Sequence, residues 1–204
     1  MPLQNRVLPT GDIVATSERG LFMGNRGILH NDDGRLGSRR WAHQTWICCA
    51  LEFKERKRQV MAPGRYTELF FLDEAVALAA GHRPCAECRR KAYERFRGAW
   101  VTAVGSGDRA AQIDRRLHVD RVRRDWRQVR HDLRLGDLSD GAFVLVDGRA
   151  HLLWHGALRP FSRAGYGSPL PIERDAVLTV LTPRATLAVL KAGYTPHVHP
   201  SAAV

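Results

Sequence analysis

Four cysteines carry the most specific chemistry in this sequence. They occur as the adjacent pair Cys48 and Cys49 and as the Cys85-x-x-Cys88 motif, with no further cysteine in the chain. In a chain that shows no export signal, this spacing favours metal thiolates over disulfides. The sequence therefore predicts a zinc site, which is structural if four protein ligands close it.

Two ligand sets are open for this site. Successive residues of a strand point to opposite faces, so Cys48 and Cys49 can both reach one metal only if a bulge bends the strand. In that case the site has four thiolates. Otherwise one of the two binds together with Cys85, Cys88 and a histidine, for which His30 is the candidate.

The segment around the second cysteine pair resembles a known zinc module. The run FFLDEAVALAAGHRPCAECRR (70–90) is similar to the second half of the Ada-type zinc-binding module, the N-terminal domain of the bacterial DNA phosphotriester-repair protein. Related versions of that module are attached to nucleases. The resemblance implies that its two cysteines present zinc thiolates in a protein that acts on DNA. The upstream cysteines depart from the family's spacing, so its methyl-acceptor role does not transfer. The positions that match the motif are Gly81, Arg83, Pro84, Cys85 and Cys88.

The charge balance predicts a phosphate-rich partner. The chain of 204 residues has 32 Lys and Arg against 21 Asp and Glu, which gives a net charge of +11. Nearly all of these cations are arginine, whose planar fork pairs with phosphate oxygens through two hydrogen bonds. We expect DNA, in duplex form, as the partner, with an acidic metabolite or protein as the alternative. The residues expected to contact it are Arg26, His82, Arg83, Arg89, Arg90, Arg123 and Arg127.

Candidate catalytic residues lie in the first half of the chain. Asn25, in the glycine-flanked run GNRG, could read a base edge, and Glu68 is a carboxylate within a strand. A DNA glycosylase needs a site for an extruded base and a negative charge beside the developing sugar cation. We therefore interpret Glu68, Asn25 and His30 as a catalytic group and keep Asp32 and Asp33 in reserve. Aromatic wedges are available in Trp41, Trp46 and Tyr66.

This pattern favours base excision at a modified or damaged base, in DNA repair or phage defence. Two other classes of protein fit the same residues. One is a lesion reader that binds DNA and uses zinc only for its shape. The other is a nuclease, although the sequence shows no paired carboxylates of the kind that hold two metals.

The elements around the cysteines can be placed from local signals. The segments 46–53 and 66–72 are rich in β-forming residues and predict strands. Asp73 is the expected N-cap of a short helix that Gly81 ends. The Cys-x-x-Cys turn then leads into a helix over 86–99.

The second half of the chain has a different pattern. A long arginine-rich helix is expected over 109–131. It is followed by strands on either side of a hairpin turn at Asp147 and Gly148. A final helix should begin at Pro183 and end at Gly193.

We expect an α+β fold with three parts. A small zinc-stapled α/β module with its N-terminal loops covers 1–104, a basic helical connector covers 105–135, and a β-rich subdomain covers 136–204. The three could also pack as one domain. No apolar run approaches the length of a membrane helix, so the protein is expected in the cytoplasm.

Overall fold

The computed structural model describes residues 2–55, 59–171 and 173–203. Within these ranges the chain forms two six-stranded sheets and four α-helices, which confirms the α+β class. The first sheet is mixed, and its strands lie in the order β2-β1-β5-β3-β4-β6. They are β1 (Gln4–Val7), β2 (Ile13–Ala15), β3 (Phe22–Asn25), β4 (Ile47–Ala50), β5 (Leu69–Phe71) and β6 (Arg83–Pro84).

The strands β4 and β6 bring the two cysteine pairs together. They run parallel, with Ile47 opposite Arg83 and Cys48 opposite Pro84. The predicted strands at 46–53 and 66–72 exist, but both are shorter than expected. Beyond β4 the chain turns at Lys54 and Glu55, which have φ values of 50° and 52°, a conformation that no strand can contain.

The four helices are α1 (Glu74–Ala79), α2 (Arg90–Val104), α3 (Ala110–Arg121) and α4 (Arg184–Lys191). The carboxylate of Asp73 accepts a hydrogen bond from the Val76 amide at 2.9 Å and caps α1, as predicted. The helix after the cysteine turn begins four residues later than expected and ends at the left-handed Gly105. Within the described ranges, no helix combines the length and the apolar character needed to cross a membrane.

The predicted helix over 109–131 is wrong in its second half. The helix α3 ends at Arg121, and Val122 takes an extended conformation that pairs with Gln128 across a turn. The Gln128 side-chain amide lies at hydrogen-bond distance from three backbone carbonyl oxygens, those of Pro9, Ala79 and Leu181. These long-range contacts hold the turn in place against the local helical pattern. We call residues 122–130 the arginine turn.

The second sheet contains the β-rich end of the chain. Its strands are all antiparallel and lie in the order β11-β10-β9-β8-β12-β7. Asp147 and Gly148 join β8 to β9 with positive φ values of 49° and 74°, as a two-residue hairpin requires. The strands are β7 (His131–Arg134), β8 (Phe143–Val146), β9 (Arg149–Trp154), β10 (Ala157–Ser162), β11 (Gly165–Tyr166) and β12 (Val177–Val180).

Both sheets contribute to one apolar core. Phe71 of the first sheet and Phe143 and Leu152 of the second belong to the same cluster of buried side chains, together with Val76 of α1. A second cluster joins α2, α3 and α4. The loop before β4 and the arginine turn extend outward from this core.

Candidate metal centre and arginine–tryptophan cavity

Three of the four cysteines form a compact cluster. The Sγ atoms of Cys49, Cys85 and Cys88 all lie within 4.8 Å of one another. Cys49 lies on β4, and the other two lie in the turn after β6, which is fixed to β4 because the Cys85 amide donates to the Cys48 carbonyl at 2.9 Å. In a tetrahedral zinc site the sulfurs are roughly 3.8 Å apart, given Zn–S bonds of about 2.3 Å. The trio could therefore hold a metal ion with little rearrangement.

The cluster already favours a thiolate. Hydrogen bonds from the thiols of Cys49 and Cys88 lower the pKa of Cys85, and the Glu87 amide also donates to its sulfur at 3.4 Å. A metal ion that binds here would displace the remaining thiol protons.

Cys48 is not part of this cluster. The strand β4 has no bulge at this point, so Cys48 points to the opposite face and is fully buried in the apolar core. Its sulfur accepts a hydrogen bond from Arg89 at 3.2 Å, and Arg89 is in turn paired with Glu74 at 2.9 Å. The pleat of β4 therefore separates the two adjacent cysteines, and the structure does not assemble the four-thiolate site.

His30 does not complete the cluster either. Its Nδ1 atom lies 2.7 Å from the Thr67 hydroxyl and its Nε2 atom 3.3 Å from the Ala62 carbonyl oxygen. The side of the cluster that faces away from the core opens into a cavity of about 220 Å³, whose lining includes Asn25 and Glu87.

A second, larger cavity lies at the other end of β4. It has a volume of about 490 Å³ and is formed by the β1–β2 turn, the residue after β3, the loop before β4, the end of α3 and the arginine turn. We call it the Arg–Trp cavity. Among the described residues that line it, six are arginines, three are tryptophans and one, Asp12, is a carboxylate. The arginines are Arg26, Arg40, Arg121, Arg123, Arg127 and Arg130, and the tryptophans are Trp41, Trp46 and Trp126.

The floor of the cavity is a sandwich of one indole between two guanidinium groups. Arg26 and Arg121 each lie 4.1 Å from the centroid of the Trp46 ring. All three side chains are at most 2% exposed. Such contacts with the face of an aromatic ring stabilise a cation, but they do not neutralise its charge.

The hydrogen bonds of the two floor arginines go to neutral groups. Arg26 donates to the Gly11 carbonyl at 3.2 Å, and Arg121 donates to the carbonyls of Gly81 at 2.8 Å and Gln44 at 2.6 Å. Within residues 2–55, 59–171 and 173–203, neither forms an ion pair with a carboxylate. Burial lowers the pKa of both to about 9. They remain charged at neutral pH, and the carboxylates that favour their charge, Asp12 for Arg26 and Asp114 for Arg121, act without forming an ion pair.

His82 lies beneath this sandwich and is fully buried. Its Nε2 atom is 3.4 Å from Arg26 Nε, and its ring packs against Trp46 and Phe71. Burial and then the two nearby arginines hold the pKa of His82 well below its usual value. His82 is therefore a neutral part of the floor and not a surface contact for phosphate.

Gly81 makes room for this arrangement. Its φ is 85°, and a Cβ atom there would lie 2.5 Å from Arg121 Cδ. A side chain at this position would displace Arg121 from the floor. Gly81 thus has a packing role in the Arg–Trp cavity.

The rim of the cavity is exposed. Among the residues that the structure describes, Arg123 and Arg127 share one distant carboxylate, Asp125, at 3.9 and 4.0 Å. Trp126, between them, is 43% exposed and lies 5.0 Å from Trp41, centroid to centroid. Its φ of 67° is a strained conformation for a bulky residue, and strain of this kind is concentrated at functional sites.

The remaining arginines predicted to bind phosphate lie elsewhere. Arg83 is buried and forms two hydrogen bonds of 2.8 Å with the carboxylate of Asp114. Arg89 is taken up by Glu74, as described above, and Arg90 forms an exposed pair with Glu94 at 2.6 Å. Arg83 and Arg89 are thus part of the interior, whereas Arg26, Arg123 and Arg127 line the Arg–Trp cavity.

The predicted catalytic residues do not line one common cavity. Glu68 is 3% exposed, and its Oε2 atom accepts a hydrogen bond from the Met61 amide at 2.7 Å. It lines neither of the two cavities, and nor do His30, Asp32 and Asp33. Asn25 lines the smaller, thiol-side cavity, with its Oδ1 atom 3.0 Å from His43 Nε2.

Sequence reasoning missed several residues of the Arg–Trp cavity, among them Arg40, Arg121 and Trp126. The run RRDWRQVR (123–130) interleaves basic and aromatic residues, a pattern typical of nucleic-acid contacts, and this signal could have identified Trp126. Nothing in the sequence singles out Asp12.

Comparisons with known proteins add no assignment. No family model matches the chain, and neither a curated protein nor a solved structure gives a match. Function must therefore be inferred from the two sites themselves.

Proposed function

We propose that this protein is a zinc-stabilised DNA-binding protein whose binding surface is the Arg–Trp cavity and its rim. The observation that carries the proposal is the concentration of six arginines around one cavity that has a single carboxylate among its described lining residues. Placing cations so close together is costly unless an anion neutralises them. DNA supplies closely spaced phosphates.

The arrangement of these arginines suits a phosphate chain. Two of them are buried in the floor, and the others stand around an open rim. Arg40, on the rim, donates to the Gly37 carbonyl at 2.8 Å and keeps further donors for a ligand. A rim of several guanidinium groups can engage more than one phosphate at a time.

Zinc is the metal that we propose for the cluster of Cys49, Cys85 and Cys88. An all-thiolate donor set suits zinc, and the resemblance of residues 70–90 to the Ada-type module supports the same choice. A bound zinc ion would link β4 to the turn after β6. The protein's own residues would form the DNA-binding surface, because the floor of the Arg–Trp cavity lies at the other end of the same strands.

Base excision is the enzymatic form of this proposal, and the position of Asp12 favours it. Excision of a modified or damaged base, in repair or phage defence, needs a ring-sized site with a carboxylate nearby. Asp12 lies at the cavity, where it accepts a hydrogen bond from the Thr10 hydroxyl at 2.7 Å. Asp12 therefore replaces Glu68 as the candidate for stabilising positive charge on the sugar.

Binding can be tested with a fluorescently labelled DNA duplex titrated at several salt concentrations. The Arg123→Ala/Arg127→Ala double variant should weaken binding by about tenfold or more and reduce the log–log salt slope by about 1.8, since each lost phosphate contact accounts for about 0.9. The control is Arg90→Ala/Arg95→Ala, which removes two exposed arginines from α2 and should change affinity by less than about twofold. Binding that does not depend on salt, or equal losses in both double variants, would overturn the proposal.

Excision can be tested by incubating the protein with duplexes that carry single modified bases and then treating them with alkali. Strand breakage that appears only after alkali indicates a glycosylase, and direct breakage indicates a nuclease. Asp12→Asn should reduce product formation by on the order of 10²–10³, while Asp147→Asn, on the distant β8–β9 hairpin, should not. An Asp12→Asn variant with full activity would exclude this carboxylate.

A further inference from the structure

We propose that the Arg–Trp cavity takes up a single unpaired nucleotide of the bound nucleic acid, with its base against Trp126 and Trp41 and its phosphate among the rim arginines. This inference rests on the proposed function and specifies what enters the cavity. A DNA-binding protein can recognise its ligand in two ways. In one the protein contacts only the outside of a duplex, and in the other it accepts a nucleotide that has left the base stack.

The size of the cavity suits such a nucleotide. Its volume of about 490 Å³ lies within the range of about 300–1,000 Å³ that is common for small-molecule sites. A duplex is too wide to enter a cavity of this size. Its bases remain out of reach because they are stacked inside the helix. A nucleotide turned out of the helix presents a flat ring and a phosphate, and these are the groups that indole and guanidinium side chains bind.

The tryptophans are positioned for stacking before any ligand arrives. Trp126 is exposed at the tip of the arginine turn, and a hydrogen bond of 2.8 Å from the Arg123 amide to the Arg127 carbonyl closes that turn around it. The three contacts of the Gln128 amide fix the same turn to the core. Trp126 is thus held in its left-handed conformation at a solvent-exposed site, where its packing offsets little of the backbone strain.

Unpartnered polar atoms provide an independent observation. In the described part of the chain, three residues that line the cavity have buried polar atoms without a hydrogen-bond partner: Trp41 Nε1, Arg121 Nε and Gln128 Oε1. Two of these atoms are donors and one is an acceptor. Buried polar groups are rarely left unpaired in proteins, and these three belong to the wall of the cavity that the base would enter.

Charge distinguishes a nucleotide within a polymer from a free nucleotide. A free mononucleotide brings one phosphate group, whereas Arg40, Arg123, Arg127 and Arg130 all stand around the cavity. The phosphates on either side of an extruded nucleotide would occupy the guanidinium groups that a single phosphate leaves free. The rim therefore favours an unpaired nucleotide that is still part of a strand.

The test compares three probes on the same protein: a perfect duplex, the same duplex with one unpaired central nucleotide, and deoxyadenosine monophosphate. We expect the bulged duplex to bind about tenfold more tightly than the perfect duplex, because stacking is gained and little extrusion is needed. Trp126→Ala should reduce this preference to less than about threefold, because the ring against which the extruded base stacks is lost. Trp41→Ala is the second variant and should act in the same direction.

Val119→Ala is the matched control, since it shortens a 78% exposed apolar side chain on α3 that does not line the cavity. It should keep the full preference. If wild type binds both duplexes equally, or if both tryptophan variants keep the preference, the inference is wrong and the proposed function stands. If neither duplex binds, both are wrong. Binding of the mononucleotide as tight as that of the bulged duplex would overturn the assignment to a strand.

Discussion

The turn that carries Cys85 and Cys88, which we call the metal turn after the proposed zinc site, and the Arg–Trp cavity both lie beside buried arginines, but these arginines have different partners. Near the metal turn each one meets a carboxylate: Arg83 contacts Asp114 at 2.8 Å, and Arg89 contacts Glu74 at 2.9 Å. These pairs neutralise the charge inside the protein. They fix the turn after β6 and the start of α2 to the core.

In the cavity the same residue type has no such partner. Arg26 and Arg121 are as deeply buried as Arg83, yet they contact carbonyl oxygens and the face of Trp46. Arg83 and Arg89 thus stabilise the fold, whereas Arg26 and Arg121 are the buried arginines that we propose for a ligand. Under the proposed function, a phosphate of the DNA would supply the ion pair that Arg26 and Arg121 lack.

The largest expected effect concerns the metal turn itself. Purified protein should contain about one zinc per chain, and Cys85→Ser should lose it and unfold or precipitate, because the free energy of zinc binding to Cys49, Cys85 and Cys88 is part of the free energy of folding. Elemental analysis and circular dichroism provide the measurements. Cys48→Ala is the control, since Cys48 lies on the opposite face of β4, and it should keep its metal. A soluble, folded Cys85→Ser variant with full metal content would remove the metal site from the comparison.

The second prediction compares one arginine from each region. Arg83→Met leaves the Asp114 carboxylate buried without a partner and should lower the free energy of unfolding by about 3–5 kcal/mol. Arg26→Met leaves no carboxylate unpaired and relieves repulsion between two cations, so it should change stability by less than about 1 kcal/mol. Urea denaturation measures both. Equal losses in the two variants would show that the distinction between paired and unpaired arginines is false.

The third prediction concerns stability in acid. The pKa of His82 in the folded protein lies well below that of an unfolded histidine, which is about 6.5. Below pH 6.5 the unfolded chain therefore takes up a proton that the folded chain does not, so stability falls as the pH falls towards the depressed pKa. The loss should approach about 1.4 kcal/mol per pH unit in this window.

Urea denaturation between pH 7 and pH 4.5 measures this slope. His82→Gln should make it shallower, because the group that titrates only in the unfolded chain is gone. Arg26→Met should reduce it by a smaller amount, since burial is the main cause of the shift and the arginine the second. If His82→Gln keeps the full wild-type slope, other groups dominate acid unfolding.

The smallest expected effect concerns the strained tip of the arginine turn. Trp126→Gly should leave stability unchanged or raise it by up to about 1 kcal/mol, because glycine adopts a φ of 67° without strain. Val119→Gly, in the helix α3, should instead lower stability by about 1 kcal/mol. Thermal unfolding of both variants measures the contrast. A Trp126→Gly variant less stable than Val119→Gly would mean that Trp126 supports the fold.

Local signals in the sequence correctly predicted those structural features that depend only on residues close together in the chain. The cap at Asp73, the hairpin turn at Asp147 and Gly148, and the opposite orientation of Cys48 and Cys49 are all present in the structure. Each depends on backbone geometry within a few residues. The proximity of Cys85 and Cys88 follows from their spacing in the same way.

The Arg–Trp cavity could not be predicted in this way. Arg121 is 40 positions from its partner Gly81, and Arg83 is 31 positions from Asp114. Only the fold decides which arginine meets a carboxylate and which does not. The helix expected over 109–131 was extended too far for the same reason, since the contacts of Gln128 that end the helical path reach residues that are distant in the chain.

The strand β4 connects the proposed zinc site to the Arg–Trp cavity and so couples binding at one site to binding at the other. Trp46, in the cavity floor, comes directly before this strand and Cys49 lies within it, and amide hydrogen bonds from Arg83 to Trp46 and from Cys85 to Cys48 tie both ends to β6. Two ligands that favour the same arrangement of one strand are linked, and the linkage is reciprocal. If zinc raises the affinity for DNA, as the proposed function implies, DNA must raise the affinity for zinc by the same factor. At equilibrium, more chelator should then be needed to remove the metal from the complex than from the free protein.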